Sequence, residues 1–95
     1  GPDRSADMPA SRAEKTQRYG EMLTAALTAA SPRGDATAME IMEMARAYRD
    51  DGDHFADEGD LVNALAAYSY GYGWLDAGVR MQALDADDAS PLFTQ

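Results

Sequence analysis

The stretch from Asp60 to Leu84, DLVNALAAYSYGYGWLDAGVRMQAL, constrains this chain most. It reads as one long helix with two apolar seams. Leu61, Leu65, Tyr68, Tyr72, Leu75 and Val79 recur at spacings of four and three. Ala64, Ala67, Gly71, Trp74 and Gly78 recur likewise, about 100° further round by the turn of 3.6 residues. A helix with two seams is touched from two sides. The second seam is mostly Gly and Ala, so one neighbour comes in close.

Two shorter patterns supply the neighbours. Ser11-Arg12-Ala13-Glu14 fits a capping box, and Tyr19, Met22, Leu23, Ala26, Leu27 and Ala30 follow on one helical face. Ser31-Pro32-Arg33-Gly34-Asp35 stops that helix. Asp35 or Thr37 caps a second helix, whose expected buried stripe is Ile41, Met44, Ala45, Tyr48, Gly52 and Phe55. Gly52 marks either close approach of a neighbour or a break. Gly59 and Asp60 form a tight turn, which makes helices two and three antiparallel neighbours. No strand is expected. The fold class is all-α: an antiparallel three-helix bundle with a long central C-terminal helix. Its expected boundaries are residues 11–84. Residues 1–10 read as a loose segment opening on Gly1-Pro2, which looks like a tag scar. Residues 85–95 read as an acidic flexible tail, with Leu92 and Phe93 docked, partner-bound or disordered.

Charge narrows the function classes. Twelve aspartates and five glutamates face seven arginines and one lysine, Lys15, for a net charge of −9. Phosphate contacts dominate nucleic-acid affinity, so this balance argues against direct binding to nucleic acid. An aspartate-rich, lysine-poor surface resembles that of proteins from salt-loving organisms; an acidic face for a basic partner is the alternative. There is no cysteine, hence no disulfide or thiolate metal site. No membrane span or signal peptide is visible, and the expected location is cytoplasmic.

The run Ala47-Tyr48, Asp51-Gly52, His54-Phe55, Glu58-Gly59-Asp60, Val62-Asn63-Ala64-Leu65-Ala66, Tyr68-Ser69-Tyr70-Gly71 and Gly73-Trp74-Leu75-Asp76-Ala77-Gly78-Val79-Arg80 resembles the archaeal domain of unknown function 357 family. Glu14-Lys15-Thr16, Arg18-Tyr19 and Met22-Leu23 fit the same pattern. The resemblance implies a short helical bundle from an archaeon, and the acidic surface points to a haloarchaeon. It implies no activity and carries over no functional residues.

Three constellations could carry chemistry. Asp50, His54 and Glu58 are four apart on one outer helix face, and carboxylates with an imidazole suit a divalent ion. In a chain so rich in aspartate a solvated acidic face is the plainer account, and no metal is expected. Arg49 and His54 have the R-x4-H spacing of the nuclease motif in higher-eukaryote-and-prokaryote nucleotide-binding helical domains, yet lie about 140° apart on a regular helix. Surface ion pairs, Arg46 to Asp50 and Arg49 to Asp53, are the plainer account. Asn63, Tyr70, Trp74 and Met81 line the edge of the small-residue seam, and aromatics with methionine and one amide compose a recognition surface. Coverage by helix one or the tail would make them core instead. Met39 and Met42, off the main stripe of helix two, add adaptable contact surface.

The reading that follows is a small non-enzymatic protein–protein interaction module or adaptor, with no cofactor. Its partner is a protein, a second copy of the chain included. The alternatives are a metal-dependent or RNA-directed hydrolase related to those nucleotide-binding domains, or a small-molecule-binding bundle.

Self-repulsion at −9 weakens the compact state at low salt. Raising salt from about 0.1 M to about 1 M shortens the Debye length from about 10 Å to about 3 Å. The thermal midpoint is therefore expected to rise over that range. A midpoint that stays flat or falls in a non-specific salt refutes the halophilic reading.

Overall fold

The computed structural model describes residues 4–86, with side chains from Arg12 onward. Gly1-Pro2, read as a tag scar, and the placement of Leu92 and Phe93 lie outside the described residues. The elements run α1 (Arg4–Ala29), β1 (Ala30–Pro32), α2 (Ala36–Asp57), α3 (Leu61–Arg80) and β2 (Leu84–Ala86). Three helices form a bundle in which α2 and α3 make the most extensive pair and α1 packs mainly on α3.

The helix ends follow local chemistry. Asp35 caps α2, its Oδ1 accepting the Ala38 N–H at 2.8 Å, so the Asp35 alternative holds and not Thr37. Gly59, at φ 80°, ends α2. Its N–H donates to the Ala56 carbonyl at 3.0 Å and the Asp60 N–H donates to Phe55 at 2.8 Å, the paired bonds of a Schellman motif. Asp60 then caps α3 through the Asn63 N–H at 3.2 Å. One aspartate thus closes one helix and opens the next.

Several boundaries differ from the expected ones. α1 begins at Arg4, so Ser11 lies inside the helix and not at its cap. Residues 4–10, expected as a loose segment, form its first turns. α3 ends at Arg80 and, at 20 residues, is the shortest of the three helices. It is central because both other helices pack on it. Its stop is a second Schellman motif: Gln82 takes φ 64°, and the Ala83 N–H reaches back to the Gly78 carbonyl at 2.9 Å.

That reversal makes a small sheet the sequence pattern did not indicate. β1 and β2 pair antiparallel in the register Ala30↔Ala86, Ser31↔Asp85 and Pro32↔Leu84. The Arg33 N–H extends the ladder to the Ala83 carbonyl at 3.0 Å, and Arg33 Nε meets Asp85 Oδ1 at 3.2 Å. Asp85 and Ala86, assigned to a flexible tail, are therefore held in the ladder. Strands of three residues carry too little alternation to read. They form because packing brings the ends of α1 and α3 together.

The core is rich in small residues. Among the described residues, six of the eleven buried apolar ones are alanines, which lets helices approach closely; the largest fully buried side chains are Leu23, Leu75 and Leu84. The buried line of α2 is Ala38, Met42, Ala45 and Gly52. It is rotated by roughly 60–70° from the expected stripe. Met42, placed off that stripe, is 4% exposed and belongs to the core, while Met39 is exposed. Small residues sit where two helices are nearest, and bulkier Ile41, Met44 and Tyr48 flank that line, only partly buried. Stripes drawn through the largest apolar residues miss this.

Gly52 does not break α2. A Cβ there would overlap Cε1 of the Tyr68 ring, and a Cβ at Gly20 of α1 would lie 2.9 Å from its Cζ. Tyr68 of α3 is 4% exposed and fills the space left by both glycines. Its hydroxyl donates to Asp53 Oδ1 at 2.6 Å, which pins the ring. Gly71 faces the Ala45 carbonyl at 3.2 Å and Leu23 Cδ2 at 2.8 Å from where its Cβ would be.

Two substitutions test this packing. Gly52→Ala gains roughly 1 kcal/mol of helix propensity. Its methyl has no room against a pinned ring, so net destabilisation of about 1–3 kcal/mol is expected. Gly71→Leu should cost a similar amount. Urea denaturation measures both; an unchanged midpoint in either would mean that its seam is not packed as described.

Candidate interaction surface

α3 carries an exposed line of large side chains. Spacings of seven, four and seven set Asn63, Tyr70, Trp74 and Met81 within about 40° of one another round the helix. Tyr70 is 62%, Trp74 41% and Met81 80% exposed. Trp74 therefore turns out of the small-residue seam to which its spacing assigned it, whereas Ala64, Ala67, Gly71 and Gly78 are buried there. Neither α1 nor β2 covers these residues. Asn63 is exposed too, but its Nδ2 donates to Asp60 Oδ2 at 2.7 Å. Its amide serves the helix cap.

Tyr48 of α2 supports one side of the line. Its ring lies 5.7 Å from that of Tyr70, tilted at 57°, a favourable aromatic geometry. Tyr48, Ser69, Tyr70, Gly73, Trp74 and Ala77 line a shallow cleft of about 370 Å³. The charged residues of α3 are only Asp76 and Arg80, and they pair at 3.1 Å as their spacing implied. The exposed line itself carries no charge.

Gly73 lines the cleft, and the described residues give it no structural role. Among the described residues, Gly34 and Gly59 adopt positive φ, and Gly20, Gly52, Gly71 and Gly78 have neighbours where a Cβ would go. None of the described residues lies within 4 Å of a Cβ at Gly73. Interior glycine costs a helix roughly 1 kcal/mol relative to alanine, and no contact within the fold offsets it here.

The other constellations do not assemble. His54 Nε2 lies 3.4 Å from Glu58 Oε2, while Asp50 Oδ1 is taken by Arg49 Nη2 at 3.1 Å. Among the described residues no three His, Cys, Asp or Glu side chains are grouped to hold a metal ion. α2 is continuous through Gly52, so Arg49 and His54 stay on different sides of the helix and the nuclease-like pair is not brought together. Arg49 engages Asp50, and Asp53 accepts from Tyr68, so the expected Arg49–Asp53 pair is replaced by these two contacts.

Sequence spacing also missed a groove of about 700 Å³ between α1 and the α2–α3 turn, lined by Thr16, Gly20, Glu21, Asp53, Asp57 and Tyr68 among others. Its acids have no lysine or arginine beside them in the lining. Burial first, then the hydrogen bond to Asp53 and the charges of Asp53 and Asp57, hold the Tyr68 phenol well above its ordinary pKa. The neutral phenol is the folded form, so its contribution to stability is present below the unfolded tyrosine pKa and is lost as pH rises beyond it. Fifteen residues separate Asp53 from Tyr68, so no local spacing announces the bond.

Three helices around an alanine-rich core, closed by a two-stranded clasp, define a small helical-bundle domain. Among the described residues, no helix is long and apolar enough to cross a membrane. The chain belongs to the family described as "Protein of unknown function (DUF357)", whose model matches residues 18–84. Its fold is similar to the crystal structure of protein AF1782 from Archaeoglobus fulgidus, assigned to the same family. The TM-score is 0.73 at 23% identity, covering 83% of this chain and 97% of that chain. No curated protein matches the chain.

If Gly73 has no role inside the fold, Gly73→Ala should stabilise the isolated chain by up to about 1 kcal/mol. Thermal unfolding at low protein concentration measures it. A loss of stability would show that the glycine is needed within the fold.

Proposed function

We propose that this protein is a non-enzymatic interaction module that docks a protein partner on the Tyr70–Trp74–Met81 face of α3. The observation that carries this reading is the exposure of three large apolar side chains in one uncharged line. Leu75, Tyr68, Ala64, Ala67, Gly71 and Gly78 of the same helix are buried. Contiguous exposed apolar surface marks interaction sites, and binding energy concentrates in aromatic residues at the centre of such patches. Tyr70 packs against the Tyr48 ring, which lowers the ordering cost of binding. Asn63 contributes at the rim only through the polar atoms that Asp60 leaves free. The acidic remainder of the surface keeps the chain soluble at the high salt for which its composition is suited.

Tyr70→Ala removes the most exposed aromatic of the line. It should weaken partner binding by about 2 kcal/mol or more, while changing unfolding by less than about 1 kcal/mol. The immobilised chain, wild type or variant, is challenged with extract of the native host at the host's salt, and retained protein is quantified beside a thermal unfolding curve. Global unfolding of the variant, or unchanged retention, removes the face as a docking site.

A further inference from the structure

We infer that the occupant of this face is a second copy of the chain, docked α3 against α3 about a two-fold axis with Gly73 beside the crossing. This rests on the interaction reading above and names its partner.

Charge is the first argument. Each copy carries −9, so two copies meet favourably only where carboxylates are not apposed. The line through Tyr70, Trp74 and Met81 is uncharged, and Asp76 is paired with Arg80. A basic partner would instead be drawn to the outer face of α2, where Asp50, Asp51, Asp57 and Glu58 are exposed. A neutral face on so acidic a chain matches another neutral face.

Shape is the second. A two-fold interface uses the same patch twice, so the patch must hold both projection and recess. Tyr70, Trp74 and Met81 project, and Gly73 and Ala77 line the cleft that Tyr70 and Trp74 share with Tyr48. A glycine lets a foreign backbone or ring come close, which gives Gly73 the role that the fold does not.

Area is the third. With side chains of about 150–250 Å² each, the exposed fractions of Tyr70, Trp74 and Met81 offer roughly 400 Å² per copy. Adding the cleft floor and the Tyr48 edge, two copies bury on the order of 1,000 Å², the lower limit for a specific interface. An interface at that lower limit should dissociate on dilution.

Sedimentation equilibrium of the full chain between about 1 μM and about 1 mM tests this. The mass should climb from one chain to two. The transition should move to lower protein concentration as potassium chloride rises from about 0.1 M to about 1 M, because screening relieves repulsion between copies. Gly73→Leu fills the cleft and should weaken association at least tenfold. Its thermal midpoint at low concentration should not fall, since a Cβ at this position meets none of the described residues and leucine is the better helix former. A single-chain mass throughout at high salt overturns the inference. So does association that weakens with salt, as it would for a basic partner, or a Gly73→Leu chain that pairs like wild type. If the chain stays monomeric while Tyr70→Ala still abolishes retention of another protein, self-pairing fails and the interaction module stands.

Discussion

The fold depends on one aromatic ring. Tyr68 stands on the central helix and occupies space that two glycines vacate, Gly20 on α1 and Gly52 on α2. Its hydroxyl is tied to Asp53 of α2, so the ring can neither rotate away nor back out. A single side chain thereby sets the spacing of three helices at the end of the bundle remote from the sheet. Tyr68 combines an apolar body that must be buried with a polar tip that must be satisfied, and Asp53 meets the second need at the margin of solvent.

At the other end the constraint is backbone pairing. The left-handed turn at Gln82 folds the chain back so that Leu84 caps the core beside Gly78 and Ile41. The β1–β2 ladder then ties the end of α1 to the segment after α3. Between these two ends, alanines and Gly71 bring the helices near one another. Close helices leave little lateral space, so bulky residues on the flanks of α3 are pushed outward. The exposed Tyr70–Trp74 line is a consequence of that packing as well as a candidate for recognition. Gly73 separates the two explanations, because packing within the chain gives no reason for it.

The chain thus pairs an ordinary small-bundle architecture with an unusual surface division. Acidic residues dominate the exposed side of α2, α1 mixes Arg12, Lys15 and Arg18 with Glu14 and Glu21, and α3 shows water an uncharged aromatic face. Family membership and similarity to the Archaeoglobus fulgidus structure establish the architecture. The division of the surface is what supports a role in association.

Local chemistry determined a good deal by itself. The Asp35 and Asp60 caps, the Gly59 turn, the antiparallel pairing of α2 with α3 and the burial of Ala64, Ala67, Gly71 and Gly78 all follow from signals within a few residues. Such signals act through hydrogen bonds and helical spacing that any sequence window contains. The exposed aromatic line was legible for the same reason: its residues share one helix. What lay beyond local reach was decided by contacts distant in sequence. The rotation of α2 onto Met42, the turning out of Trp74 and the Tyr68–Asp53 bond depend on which helix surfaces come closest. That in turn depends on the fit of all three. The short sheet was beyond reach too, since three-residue strands exist only because packing sets their backbones side by side. His54 and Glu58, four apart, do meet at 3.4 Å, but Asp50 is drawn instead to the Arg49 guanidinium, an opposite charge that helical spacing alone does not rank.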